Sequence, residues 1–274
     1  MTKPSWYRIA AKHDGDDDGG HAEILIYGEI GKDWFGEGIA AEDLVKELAA
    51  LDVATLDVRI NSVGGQVFEG LAIFNALDRH PAKVTTHIDG MAASIASIVA
   101  LAGDTVRIAE NAFMMIHNAH GLEIGDANAM RKMADILEKL DGSLAETYVA
   151  KTGKSSKVIQ AMMDEETWFN AEEALEAGMV DEVVEAMDVA ASIDLSKFRN
   201  VRPDVLEWAA RRDGGVAGDV AALAAIEEEA ARLEEANARV KAATAALADD
   251  SDRNDPDLIQ LAAETERTLA RTLI

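Results

Sequence analysis

Thr55-Leu56-Asp57-Val58-Arg59-Ile60 runs straight into Asn61-Ser62-Val63-Gly64-Gly65, and 67–79 then carries apolar residues at helical spacing. The first six residues read as a strand. The glycine pair reads as a tight turn, one in which backbone N–H groups can face a ligand with no side chain in the way. Strand, turn and helix in that order make one βα unit, and the same rhythm continues on both sides. Upstream, 22–30 reads as a strand and 41–51 as a helix with Leu44, Leu48 and Leu51 on one face. Downstream come a strand at 83–88, a helix at 94–101 and short strands at 105–109 and 112–117. Such alternation with short links predicts stacked βαβ units around a mainly parallel sheet. Right-handed crossovers then set successive helix N-termini along one edge of that sheet.

Two further segments put reactive groups at strand ends: Gly90-Met91-Ala92-Ala93-Ser94 and Met114-Met115-Ile116-His117. Ser94 stands where a strand passes into a helix, with its hydroxyl at the positive end of the helix dipole; a serine there is commonly just an N-cap. Small residues before it would let a carbonyl group approach closely. His117 closes an apolar strand on the same sheet edge, so its Nε2 is placed to accept the serine proton. His120, three residues on, is a second candidate base that the sequence does not separate from the first. The N–H groups of Gly65 and Ile95 are candidates for an oxyanion hole. The G-x-S-x-G elbow is absent, which argues against an α/β-hydrolase.

Bulk properties narrow the field. The chain has 274 residues, enough for one large domain with an appendage, and its 49% hydrophobic content supports a sizeable core. A formal charge of −25 repels phosphates and anionic lipid, so neither nucleic acid nor membrane is expected as a partner. With no cysteine, disulfides, thiolate catalysis and Cys-based zinc sites are excluded. No apolar signal core follows Met1 and no apolar run spans a bilayer, so a cytoplasmic protein is expected. Asp14, Asp16, Asp18 and Gly19 imitate the opening of an EF-hand loop, but Leu25 falls where the bidentate Glu is required. This patch, within a polar lead-in of 1–20, therefore reads as a solvated hairpin turn.

Beyond the strands, 126–151 reads as a long helix with Asp126 as N-cap and Gly153 as its stop. Met130, Met133, Leu137, Leu140, Leu144 and Tyr148 recur along it, and the methionines are expected to pack in the core. A helix of this length can also project towards another subunit. A short helix at 171–177 ends at Gly178, and 180–184 reads as a closing strand. From 186 to 215 the rhythm is lost, with Pro203 and Gly214-Gly215 as punctuation. The expected organisation is a catalytic domain at 1–190, a linker at 191–215 and a helical tail at 216–274. Within the tail, Leu223, Ile226, Ala230, Leu233, Asn237, Val240, Thr244 and Leu247 form a heptad seam. It suits a coiled coil or one amphipathic helix docked on its own domain.

Taken together, the Asn-Ser-x-Gly-Gly segment, Gly-x-Ala-Ala-Ser, the Ile-His pair, the long helix and Ala171-Glu172-Glu173-Ala174-Leu175-Glu176-Ala177-Gly178 resemble the Clp protease proteolytic subunit (ClpP) family. The resemblance runs from about Glu23 to Val184. It implies a Ser–His–acid endopeptidase on a spiral α/β fold, acting on protein or peptide substrates as a homo-oligomeric ring, with no metal or cofactor in the active site. Carried over, Ser94 is the nucleophile, His117 the base, and Gly65 and Ile95 the oxyanion donors. The acid aligns with Glu166, two residues before Trp168, where the family usually has Asp; Asp164 and Glu165 are the alternatives. Val63 replaces the family's usual proline.

The N-terminal segment and the tail are unlike the housekeeping enzyme and argue against docking to a Clp-type ATPase. They resemble phage and prophage head-maturation proteases of this type, which implies capsid protein as a partner and the bacterial cytoplasm or an assembling procapsid as the location. Two alternatives stand beside this reading. A crotonase-type acyl-CoA enzyme shares the spiral fold and an oxyanion hole but uses no nucleophilic serine. A catalytically inactive scaffold or assembly protein would account for the seam and the acidity.

Overall fold

The computed structural model describes residues 6–12, 20–31, 40–186, 195 and 197–212. All of them lie in the first of the two units into which the chain divides, Met1–Gly214. The heptad seam of 219–248 and the acidic patch of 14–19 fall outside the described residues.

The frame is a mixed α/β fold. Strands β2 (His21–Tyr27), β3 (Thr55–Ser62), β4 (Lys83–Ala93), β5 (Thr105–Ala109) and β8 (Glu182–Val184) lie side by side and parallel in that order. Helices α1 (Ala41–Ala49), α2 (Val67–Asp78) and α3 (Ile95–Ala100) fill the crossovers. One face of the sheet is apolar: Ile24, Ile26, Val58, Ile60, Val84, Ile88, Val106 and Ile108 are buried together with Leu44, Leu48, Ile73 and Leu77 of the helices. This layer is where the hydrophobic effect holds the domain together. The other face is polar, with Arg59 donating to both carboxylate oxygens of Asp89 at 2.8 and 2.6 Å and the Tyr27 hydroxyl donating to Asp89 at 2.7 Å. Asp89 is only 2% exposed, and this pairing is what makes its burial tolerable.

Several elements differ from the expectation. The polar lead-in contains a strand, β1 (Tyr7–Lys12), antiparallel to β2, with Trp6 and Tyr7 buried at its start. Strand β4 does not stop at Ile88 but continues to Ala93. Its first half pairs with β5 and its last three residues with β6 (Phe113–Ile116). Gly90 and the alanines lie beyond the strand read at 83–88, yet a second parallel neighbour keeps Met91–Ala93 extended. Two more elements, α5 (Ser156–Asp164) and β7 (Thr167–Asn170), follow the long helix, and β7 is antiparallel to β6.

The long helix, α4 (Ala127–Thr152), has Asp126 accepting from the N–H groups of Asn128 and Ala129 and ends at a left-handed Gly153. Only its second half reaches the core, through Leu144, Ala145 and Tyr148. Met130 is 46% exposed, contrary to the expected core packing, because the first half runs beyond the sheet. Within the stretch read as a linker, Pro203–Arg212 forms helix α7, with Val205 and Trp208 buried against Met91, Phe113, Met115 and Trp168. Among the described residues no helix is long and apolar enough to cross a membrane.

Candidate active site

Sheet register brings Ser94 and His117 together. Ala93 of β4 lies beside Met115 of β6, and the Ser94 N–H donates to the Met115 carbonyl at 3.0 Å. The chain leaves both strands at the same edge, with Ser94 the first residue after β4 and His117 the first after β6. Ser94 is not an N-cap in the ordinary sense. Its backbone sits at φ 56° and ψ −132°, and its side chain makes no capping hydrogen bond. A β-substituted residue in that region stores strain of about 1–3 kcal/mol. The hydroxyl is aimed instead at the imidazole, Oγ to Nε2 at 2.7 Å. Below it, the Ser97 hydroxyl lies 2.6 Å from the Ser94 carbonyl and 2.7 Å from the buried Tyr148 hydroxyl, which anchors the turn to α4.

The glycine pair wraps around this serine. Ile30 bridges to Gly65: its N–H donates to the Gly64 carbonyl at 2.7 Å, and its carbonyl accepts from the Gln66 N–H at 3.0 Å. In a parallel bridge those two bonds come from the flanking residues, so the N–H of Gly65 itself faces away from Ile30. Neither glycine tolerates a side chain. A Cβ on Gly64, at φ +94°, would fall 2.7 Å from the Ser94 Cβ; one on Gly65, at φ +147°, would fall 2.2 Å from the Ile30 carbonyl oxygen. Ile95 opens α3, so its N–H has no carbonyl one turn earlier in the helix. Its nitrogen is 3.2 Å from where that Gly64 Cβ would stand, next to the serine.

The three candidate acids separate clearly. Asp164 is exposed and accepts from the Asn118 amide at 2.7 Å, and Glu165 is an exposed residue closing α5. Glu166 is 3% exposed, and its Oε2 lies 4.0 Å from His117 Nδ1. That is near enough for charge attraction and too long for a hydrogen bond. Two of its direct partners come from far along the chain, the Arg199 N–H at 3.0 Å and the Asn200 N–H at 2.7 Å, and a third is the nearby Trp168 indole at 3.4 Å. Glu166 also takes a positive φ of 52°. His120, the other candidate base, is exposed, with its ring 5.5 Å from that of His117.

His117 is 8% exposed, and its pKa falls from the ordinary 6.5 to about 4. Burial is the main cause, helped by His120 and Arg199 and opposed by Glu166. The imidazole is therefore neutral at pH 7, the form that accepts a proton. With the Nδ1 proton towards Glu166, Nε2 is free to receive the hydrogen bond from Ser94.

A strand-end serine hydrogen-bonded to a buried histidine, beside a glycine turn, is an arrangement suited to acyl transfer. The sequence model of one family, Clp protease, matches residues 22–187. The chain belongs to the Clp protease family. An ATP-dependent Clp protease proteolytic subunit 1 from Leifsonia xyli subsp. xyli is 33% identical over 163 residues, covering 56% of this chain and 82% of that relative. A protein of the same name from Protochlamydia amoebophila is 35% identical over 133 residues, 47% of this chain and 65% of the relative. Among solved structures, a point mutant of ClpP1 from Listeria monocytogenes is similar, with a TM-score of 0.53 and 26% identity over 61% of this chain and 92% of the other. Family membership makes the chain a protease of Clp type. Sequence reasoning missed Phe198, Arg199 and Asn200, which lie beyond the matched region. Their signal was weak: one aromatic residue in a polar stretch just before Pro203.

Proposed function

We propose that this chain is a serine endopeptidase in which Ser94 is the nucleophile, His117 the general base and Glu166 the acid, with the Gly65 and Ile95 N–H groups as oxyanion donors. The 2.7 Å contact between Ser94 Oγ and a buried, neutral His117 Nε2 carries this reading. As Oγ bonds to the substrate carbonyl carbon, its proton moves to Nε2. The negative charge gathers on the carbonyl oxygen, opposite two preoriented N–H donors. The imidazolium returns its proton to the departing amine nitrogen as the C–N bond breaks, and water repeats the cycle on the acyl-enzyme. Glu166 lies close enough to favour the imidazolium over the neutral ring.

The finer reading is a phage or prophage head-maturation protease that works as a homo-oligomeric ring and cuts co-assembled capsid protein. It is supported by the heptad seam of 219–248, the charge of −25 and the exposed apolar residues Leu122, Ile124, Met130 and Ile136 in and before α4, where self-association would cover them. The deciding experiment is fluorophosphonate labelling of wild type beside Ser94→Ala, read by intact mass. One adduct on wild type and none on the variant is the expected result. Equal labelling of the two, or no labelling of either, overturns the assignment.

A further inference from the structure

Resting on that reading, we infer that residues 197–202 are a positioning strap, part of the catalytic apparatus, which holds the Glu166 carboxylate and closes the histidine side of the site. The matched family region ends at residue 187, so this strap lies outside it.

A buried carboxylate requires donors. Glu166 finds them in consecutive backbone N–H groups: Arg199 donates to Oε2 and Asn200 to Oε1. Successive N–H groups converging on one anion form a small anion-binding concavity. The Asn200 side chain adds a third tie, donating to the Glu165 carbonyl at 2.9 Å and gripping the turn that gives Glu166 its positive φ. The Phe198 ring packs edge-on against both His117 and Trp168, with centroids at 6.0 and 5.3 Å. One short segment thus touches both the acid and the base.

The strap is anchored at each end. Lys197 pairs with Glu29 at 2.7 Å, one residue from the Ile30–Gly65 bridge. Arg202 pairs with Glu173 and Asp204 and donates to the Trp168 carbonyl at 3.3 Å. Glu173 also completes the capping box of helix α6 (Ala171–Ala177) with Asn170, so the strap is tied to a rigid element. Beyond it, Val205 is fully buried. A segment that merely packed at the back of the domain would not need to supply two backbone donors to the acid beside the base. Glutamate at this position reaches one methylene further than aspartate, far enough to meet the strap.

Among the described residues, the charged or titratable groups facing His117 are Glu166 from the turn before β7, His120 from the loop after β6 and Arg199 from the strap. Losing the Phe198 ring lets water reach the imidazole without removing any of them.

The test uses the full chain. The acidic limb of kcat/KM for a small peptide ester is compared in wild type, Phe198→Ala and Phe198→Leu. Fluorophosphonate labelling rates are compared in Asn200→Pro, Glu166→Ala and their double variant. In Phe198→Ala the limb should rise by about one pH unit towards the ordinary histidine value, and Phe198→Leu should bring it back. Asn200→Pro, which deletes one backbone donor to Glu166 and the side-chain tie to the Glu165 carbonyl, should slow labelling about tenfold in wild type and have almost no effect once Glu166 is gone. If the Asn200→Pro loss persists undiminished in the Glu166→Ala background, the strap is only packing and the inference fails. That cycle decides if Phe198→Ala does not fold or if the two readouts disagree. Wild type that labels at Ser94 with additive losses overturns the strap alone; wild type that does not label overturns the serine-protease reading and the strap together.

Discussion

The two halves of the candidate triad are built by different means. Ser94 and His117 are set by sheet register: β4 and β6 pair over three residues, and the residues that follow the two strand ends, Ser94 after Ala93 and His117 after Ile116, lie 2.7 Å apart. Glu166 and His117 are 4.0 Å apart, and the carboxylate is held by backbone from residues 199 and 200, more than thirty positions away. The first half is stiff because moving it means breaking a parallel sheet. The second depends on one side chain's reach and on a strap that is itself anchored by ion pairs. The nucleophile–base pair should therefore dominate turnover, with the acid modulating it.

Substitution tests this ranking. His117→Ala removes the base and should lower kcat by about 10⁶-fold, comparable with losing the nucleophile. Glu166→Ala should cost about 10²-fold. That is less than the roughly 10⁴-fold seen where an acid bonds its histidine directly, since here charge acts across 4.0 Å. Glu165→Ala, at an exposed position, should stay within about twofold of wild type, in line with ordinary surface substitutions. Steady-state hydrolysis of one peptide by all three variants measures this. A Glu166→Ala loss as large as that of His117→Ala would mean that the carboxylate bonds Nδ1 during turnover and that the contrast between the halves is false.

The same division explains what could be read in the sequence. The apolar runs at 55–60, 83–88 and 105–109 announce their strands, and the order of motifs places Ser94 and His117 at one edge before any coordinates are known. Local signals also settle Asp126 as a cap and Gly153 as a stop. What escaped depends on distant chain. The strand Thr167–Asn170 has only four residues, too few for a period, and exists because β6 offers an edge. The end of β4 is written in Gly and Ala, which have no strand preference of their own. Pro203 reads as punctuation, although proline is also favoured at the first position of a helix. Asp204 beside it, with Val205 and Trp208 one turn apart, was the available clue to α7. Alignment with the family favours Glu166 over Asp164 and Glu165, but the burial that sets Glu166 apart is not visible in three adjacent acids.

The smallest effect concerns stability and bears on the stiff half. His117 is held neutral in the folded protein, with its pKa lowered to about 4 from 6.5. In the unfolded chain it takes up a proton near pH 6.5. Between these values the unfolded state binds more protons, so the folded state loses stability as the pH drops through 6.5 towards 4. Above 6.5 both states are neutral at this site, below 4 both are charged, and the pH dependence from it vanishes. A shift of this size corresponds to about 3 kcal/mol at most. Urea unfolding of wild type and His117→Gln between pH 4 and pH 7 isolates it: the wild-type curve should fall more steeply on acidification, and the gap between the two should follow this window. Parallel curves would mean that water or a rotated Glu166 carboxylate already supports the imidazolium in the folded state. The base–acid half would then be as tightly coupled as the nucleophile–base half.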